Sequence, residues 1–187
     1  SGRVWIGTAN GLGYIDGDKV GSIDLTPYHS SQNVFGFSED SDGTLWIATD
    51  RAVLRFRDGK IVAIGTKEGM PIATVFQIVV DKYTNFWLTS NRGVFYIKRA
   101  NLEAVADGKS KQVNAINFAE ADGMASAQCN GGAGPAAMRA KDGSIWVATA
   151  KGVSIIQPDN LARSQAPPPP VVIATVMVDD QLVNVNE

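Results

Sequence analysis

Four tryptophans occur in this chain, and each sits in a copy of the same stretch. The fullest copy is Asp42-Gly43-Thr44-Leu45-Trp46-Ile47-Ala48-Thr49, followed by Ala52-Val53-Leu54. Ser1-Gly2-Arg3-Val4-Trp5-Ile6-Gly7-Thr8 precedes Gly11-Leu12, and Asn85-Phe86-Trp87-Leu88-Thr89-Ser90 precedes Gly93-Val94. Asp142-Gly143-Ser144-Ile145-Trp146-Val147-Ala148-Thr149 precedes Gly152-Val153. The first three tryptophans are 41 residues apart and the last follows after 59. A period of about 40–45 residues is that of four-stranded propeller blades, units that bury their apolar faces only by stacking on one another. The expectation is an all-β chain of about four such blades, forming part of a larger propeller.

Each repeat divides into short strands separated by turn residues. In the second copy these fall at 33–38, 44–49, 52–57 and 60–64, with Asp58-Gly59 as a hairpin turn. Along the second strand Leu45, Ile47 and Thr49 alternate with Trp46 and Ala48. Both faces are therefore apolar, as a sheet sandwiched between two neighbours requires. Asp42 and Asp142 stand beside Gly and read as turn residues. The third unit predicts strands at 76–81, 85–90 and 93–98. Leu102, Val105 and Ala106 then mark a short helix that Gly108 stops, and a strand follows at 112–118. A glycine-rich loop at 119–134, in which the run 131–134 reads as a flexible connector, leads to a strand at 135–140; helix and loop together explain the longer gap. Residues 157–160 close the last repeat. Pro167–Pro170 reads as a stiff polyproline spacer, and 171–178 with 181–185 as a hairpin turning at Asp179-Asp180. The chain thus divides into two domains: a partial propeller over 1–166, then a linker and the first hairpin of a second domain over 167–187. Because the chain starts inside a repeat, it is expected to be a piece of a longer protein.

A net charge of −2 offers no basic field for nucleic acid. A single cysteine, Cys129, excludes an intramolecular disulfide and reads as a small buried apolar residue. His29, the only histidine, falls in a loop between blades and reads as solvated. With one His and one Cys the usual zinc ligand set cannot be assembled. Glu39–Gly43 echoes a calcium loop, but Arg51 falls where the bidentate Glu belongs, so it reads as a turn. Gly131–Gly134 lacks the Lys-Ser/Thr of a phosphate loop, and no cofactor site is read. The loops between second and third strands all leave the same face of a propeller. They place Asn10, Asp50, Arg51, Asn91, Arg92 and Lys151 there as candidate ligand-binding residues, with the cations suited to a carboxylate or an acidic sugar.

The four copies of Asp-Gly-x-(Leu/Ile/Val)-Trp-(Ile/Val)-(Ala/Gly)-Thr-x-x-Gly-(Leu/Val) resemble the two-component regulator propeller repeat. Asn101-Leu102 is similar to the insertion that precedes the family's last blade. The run Asp122-Gly123-Met124-Ala125-Ser126-Ala127-Gln128-Cys129-Asn130 is similar to a segment of the same family. Pro168-Pro169-Pro170-Val171-Val172-Ile173 resembles the opening of the tyrosine-rich Ig-like β-sandwich that comes after such propellers. The resemblance implies the periplasmic, ligand-sensing part of a membrane-bound bacterial signalling protein, with a histidine kinase or diguanylate cyclase as output. It implies a small-molecule or glycan ligand, a membrane reached only through parts outside this chain, and no catalysis by this part. An incomplete propeller leaves open edges, which implies self-association. Two other classes stand beside it. One is a propeller lyase or hydrolase acting on a small molecule or polysaccharide, which needs a His/Glu/metal cluster. The other is a protein-binding scaffold.

Overall fold

The computed structural model describes residues 2–132, 134–163, 176–178 and 181–183. Strands β1 Val4–Thr8, β2 Gly11–Asp16 and β3 Lys19–Ile23 form the first antiparallel meander. The second holds β4 Val34–Glu39, β5 Leu45–Thr49, β6 Ala52–Arg57 and β7 Lys60–Gly65. The third holds β8 Gln77–Val80, β9 Phe86–Ser90, β10 Gly93–Ile97 and β11 Ala115–Phe118, with helix α1 Arg99–Ala106 inserted before its last strand. The fourth has β12 Ala137–Arg139, β13 Ile145–Thr149 and β14 Gly152–Ile156. Two blades thus carry four strands, and the two end blades carry three among the described residues. The inner strands stand side by side, β4 against β8 and β8 against β12. This is the stacking of propeller blades.

The tryptophan repeat sets the interfaces. Leu45 and Ile47 face the first blade, in a cluster with Leu12 and Trp5 of that blade and Phe37 and Phe56 of their own. Trp46 and Ala48 face the third blade, with the Trp46 ring 4.7 Å from that of Phe86. Trp87 enters the next interface with Ile145 and Val147. Each tryptophan therefore points at the following blade, and the residue before it points at the preceding one. Trp46 and Trp87 are 0% and 1% exposed, and burying one such ring is worth about 5 kcal/mol of transfer free energy. Trp146 meets no following blade among the described residues and is 44% exposed.

A buried indole N–H needs an acceptor. Asp40 Oδ2 accepts from Trp46 Nε1 at 2.9 Å and Asp81 Oδ2 from Trp87 Nε1 at 3.0 Å. Both carboxylates stand six residues before their ring. In the fourth copy that position is Ala140, and exposed Trp146 donates to Ser144 Oγ instead. Asp42 and Asp142 hold turns, accepting from the backbone N–H of Thr44 and Ser144, as the sequence led one to expect.

The predicted helix after β10 is present and is pinned by ions. Arg55, nearly buried, donates to Glu103 at 2.5 Å and to Asp107 at 2.8 Å. Arg57 meets Glu103 at 3.0 Å. Arg99 grips both oxygens of Asp40 at 2.6 and 2.8 Å and lies over the Phe86 ring. These pairs fasten α1 to the second blade.

Two expectations need correction. Residues 157–160 do more than close the repeat: they begin a second helix, α2 Pro158–Arg163. The run at 131–134, read as a flexible connector, is held at its start. Cys129 N–H donates to Ser90 O, Asn130 N–H donates to Ala148 O, and Gly131 lies so close to Phe76 that a Cβ there would clash. That segment ties the third blade to the fourth. Strands β15 Val176–Val178 and β16 Gln181–Val183 pair antiparallel, which is the hairpin read from the sequence. The polyproline spacer and the domain boundary at 166/167 lie outside the described residues, as do the remaining parts of the hairpin.

Candidate functional site

The loops between second and third strands share one construction. The Thr or Ser that ends each second strand folds its hydroxyl over the two-residue turn. Thr8, Thr49, Ser90 and Thr149 donate to the carbonyls of Gly11, Ala52, Gly93 and Gly152 at 2.7–3.1 Å. The same oxygens accept the N–H of Asn10, Arg51, Arg92 and Lys151. Gly11, Gly93 and Gly152 all take positive φ, which explains the glycine in three copies. The base of every loop is thereby fixed, and its two tip residues are left to vary.

The linkers between blades run over these same loop ends. Val75 N–H donates to Thr49 O, Ala150 N–H donates to Gln128 O, and Ser31 Oγ lies 3.0 Å from Thr49 Oγ1. Loop tips and linkers together make one face. A cleft of about 400 Å³ opens on it between Thr8-Ala9 and Asn33–Phe35.

The structure sorts the six candidates. Asn10, Arg51, Asn91, Arg92 and Lys151 are exposed at their loop tips. Asp50 is turned inward: its Oδ1 accepts from the backbone N–H of Gln32 at 3.0 Å and of Asn33 at 3.2 Å. It is a brace for the linker, and its second oxygen sits 3.7 Å from Arg51 Nε. Lys151 faces Glu120. That carboxyl is held below its usual value first by the Ala127 N–H, which it accepts at 2.7 Å, then by its own backbone N–H, with the nearby ammonium adding a smaller part. Arg92 makes no ion pair among the described residues.

His29 is not simply solvated. Its Nε2 lies 3.0 Å from Glu68 Oε2, which also accepts the Gly65 N–H. Cys129 is 3% exposed, and burial pushes its thiol up, as its reading as a small apolar residue anticipates. In the calcium-like turn, Asp40 is committed to Trp46 and Arg99, and Asp42 to Thr44. Among the described residues no group of three or more His, Cys, Asp or Glu converges.

One repeated element escaped the sequence reading. Glu68-Gly69-Met70 matches Asp122-Gly123-Met124: in each the acidic residue ends a turn of 3-10 helix, a glycine of positive φ caps it, and the Met is buried at an interface. Three residues of self-similarity marked it. The linkers that carry it roof the loop face.

A family model described as Two component regulator propeller matches residues 28–51. No curated protein matches the chain. Among solved structures, the extracellular domain of a protein described as the hybrid two component system BT3049 from B. thetaiotaomicron superimposes with a TM-score of 0.73 at 20% identity, covering 100% of this chain and 25% of that one. The extracellular domain of BT4673 from the same organism gives 0.61 at 18% identity, over 82% and 20% of the two chains. Virginiamycin B lyase from Staphylococcus aureus gives 0.52 at 15% identity, over 83% and 52%. At these identities the likenesses show the propeller fold. The chain spans about a quarter of the first of these structures.

Proposed function

We propose that this chain is the ligand-sensing propeller portion of an extracytoplasmic receptor in a bacterial signal-transduction protein. The observation that carries the reading is the loop face. Four identical hydroxyl latches hold loops whose tips differ, and three of the exposed tip residues, Arg51, Arg92 and Lys151, are cationic. A rigid base with variable tips is how a scaffold presents recognition groups. The propeller repeat matched at residues 28–51 and the two extracellular-domain neighbours support the same reading. No helix among the described residues is long and apolar enough to cross a membrane, so the reading places any anchor and any kinase or cyclase output elsewhere in the parent protein.

The ligand class that fits three exposed cations on one face is an acidic small molecule or glycan. Binding would alter how the propeller packs on the domain C-terminal to it, biasing a dimer across the membrane. Isothermal titration with uronic-acid oligosaccharides tests the site. Heat of binding that is lost in the triple variant Arg51→Ala, Arg92→Ala, Lys151→Ala supports it. Absence of heat for every acidic ligand, or binding untouched by the triple variant, removes the loop face as the sensor site.

A further inference from the structure

The tryptophan register also lines up the third and fourth blades position by position beyond the motif. Ile97, Asn101 and Leu102 correspond to Ile156, Asn160 and Leu161, which places α1 and α2 at equivalent points. Met70 corresponds to Met124 in the linkers. Against this agreement, two differences stand out. Eight residues after the tryptophan, the third blade has Phe95, buried against the second blade, and the fourth has Ser154. One residue before it, Phe86 gives way to Ile145. The interface between the third and fourth blades therefore lacks the two phenyl rings that fill the preceding one.

Beside Ser154, where the third blade carries Phe95, there is open space. A cavity of about 300 Å³ lies between the blades, with Ser154 in its wall. Trp87, Phe118, Met124, Ile156 and Leu161 give it apolar sides, and Asp122, Gln157 and Asn160 stand among its lining groups. Trp87 and Phe118 lie 5.5 Å apart at 33°, and the indole N–H is already committed to Asp81. The ring surface is therefore offered as a hydrophobic wall. Ser154 Oγ accepts the Ala125 N–H at 3.1 Å, which leaves its hydroxyl proton to donate into the cavity. Volume, aromatic lining and few polar groups are the attributes of a small-ligand site.

We propose that this cavity is a binding site for an uncharged, single-ring aromatic molecule bearing a hydroxyl group. The ring lies against Trp87 and Phe118, and the hydroxyl exchanges hydrogen bonds with Ser154 and the side-chain amide of Asn160 or Gln157. No lysine, arginine or histidine lines the cavity and the carboxylate of Asp122 does, so anions are disfavoured. The site lies at the end of β14 remote from the Ala150-Lys151 loop. It does not depend on the sensor reading, and either can fail without the other.

Phenol is the probe, and benzoate its anionic counterpart. In an NMR titration of the whole chain, phenol is expected to shift the signals of residues around Trp87 with a dissociation constant of about 1 mM, in the range open to so small a ring. Benzoate binds at least about tenfold more weakly. Ser154→Phe restores the side chain that the third blade carries at this position, so it fills the cavity with a residue the architecture already accommodates. It is expected to abolish binding, while Ser154→Ala removes one hydrogen-bond partner and weakens it only about three- to tenfold. If Ser154→Phe fails the check of folding by circular dichroism, Ser154→Leu serves as the blocking variant. Failure of phenol to shift those signals at about 10 mM, binding unaffected by the blocking variant, or equal binding of benzoate overturns the proposal.

Discussion

Asp40 carries two loads at once, and separating them gives a sharp test of how the second and third blades are held together. Its carboxylate accepts the Trp46 indole N–H at 2.9 Å and both arms of Arg99 at 2.6 and 2.8 Å. Trp46 is 0% exposed, so in Asp40→Ala its N–H loses its acceptor inside the interface. Leaving one buried donor unmade costs about 1–3 kcal/mol. The Arg99 pair is partly screened, with 23% and 17% of the two side chains exposed, and Arg99 keeps Thr84 O at 2.8 Å. Its loss belongs at the lower end of the charge-assisted range, about 1–1.5 kcal/mol. Asp40→Ala should therefore cost about 3 kcal/mol. Asp40→Asn preserves an oxygen for the indole and removes only the charge, so it should cost about half as much. Urea unfolding followed by far-ultraviolet circular dichroism measures both, with the slope against urea unchanged. A cost for Asp40→Ala below about 0.5 kcal/mol, or an Asn variant as damaging as the Ala variant, refutes the division of roles.

Gly93 takes φ of +111°, and a Cβ there would run into the Phe118 carbonyl oxygen, whereas Gly152 at φ +120° meets nothing within 4 Å. Gly93→Ala should cost more than about 3 kcal/mol and Gly152→Ala about 1 kcal/mol by chemical denaturation; equal costs would show that dihedral strain alone decides. Asp107 is held below the ordinary carboxylate range by its hydrogen bond from Arg55 and then by that from Lys109. That contribution is complete above the unfolded-chain value of about 3.9 and is lost as pH falls through the lowered folded value. Thermal melts should thus show the midpoint dropping below about pH 4, with a shallower drop in Asp107→Asn.

The period and face of the blades were legible because a bulky ring at fixed spacing can serve only one geometry. Leu45, Ile47, Trp46 and Ala48 sort onto the two faces that alternation dictates. What stayed hidden depended on partners distant in sequence. The motif's own Asp42 drew attention, while the indole acceptor is Asp40, whose role emerges only once Trp46 is buried and Arg99 arrives from the next blade. Asp50 looked like a ligand group beside Arg51, yet the linker it braces is 17 and 18 residues away. Helix α2 is short and carries few apolar residues, so only its match to Ile97, Asn101 and Leu102 could have revealed it. The loop tips other than Asp50 lie exposed because a two-residue turn between paired strands has nowhere else to go.

The directional setting of the tryptophans has a consequence for how such chains grow. Every blade meets its successor with an indole and its predecessor with the neighbouring aliphatic or phenyl residue, so the two sides of a unit are never alike. A copy inserted by tandem duplication of the coding segment brings the right kind of face to each of its new neighbours. The outer faces of the first and fourth described blades show the same asymmetry: Val4, Ile15 and Val20 lie exposed on one, and Met138, Trp146 and Ile155 on the other. The number of units is therefore a quantity that inheritance can alter in single steps, with the residues around each tryptophan left to adjust the new interface.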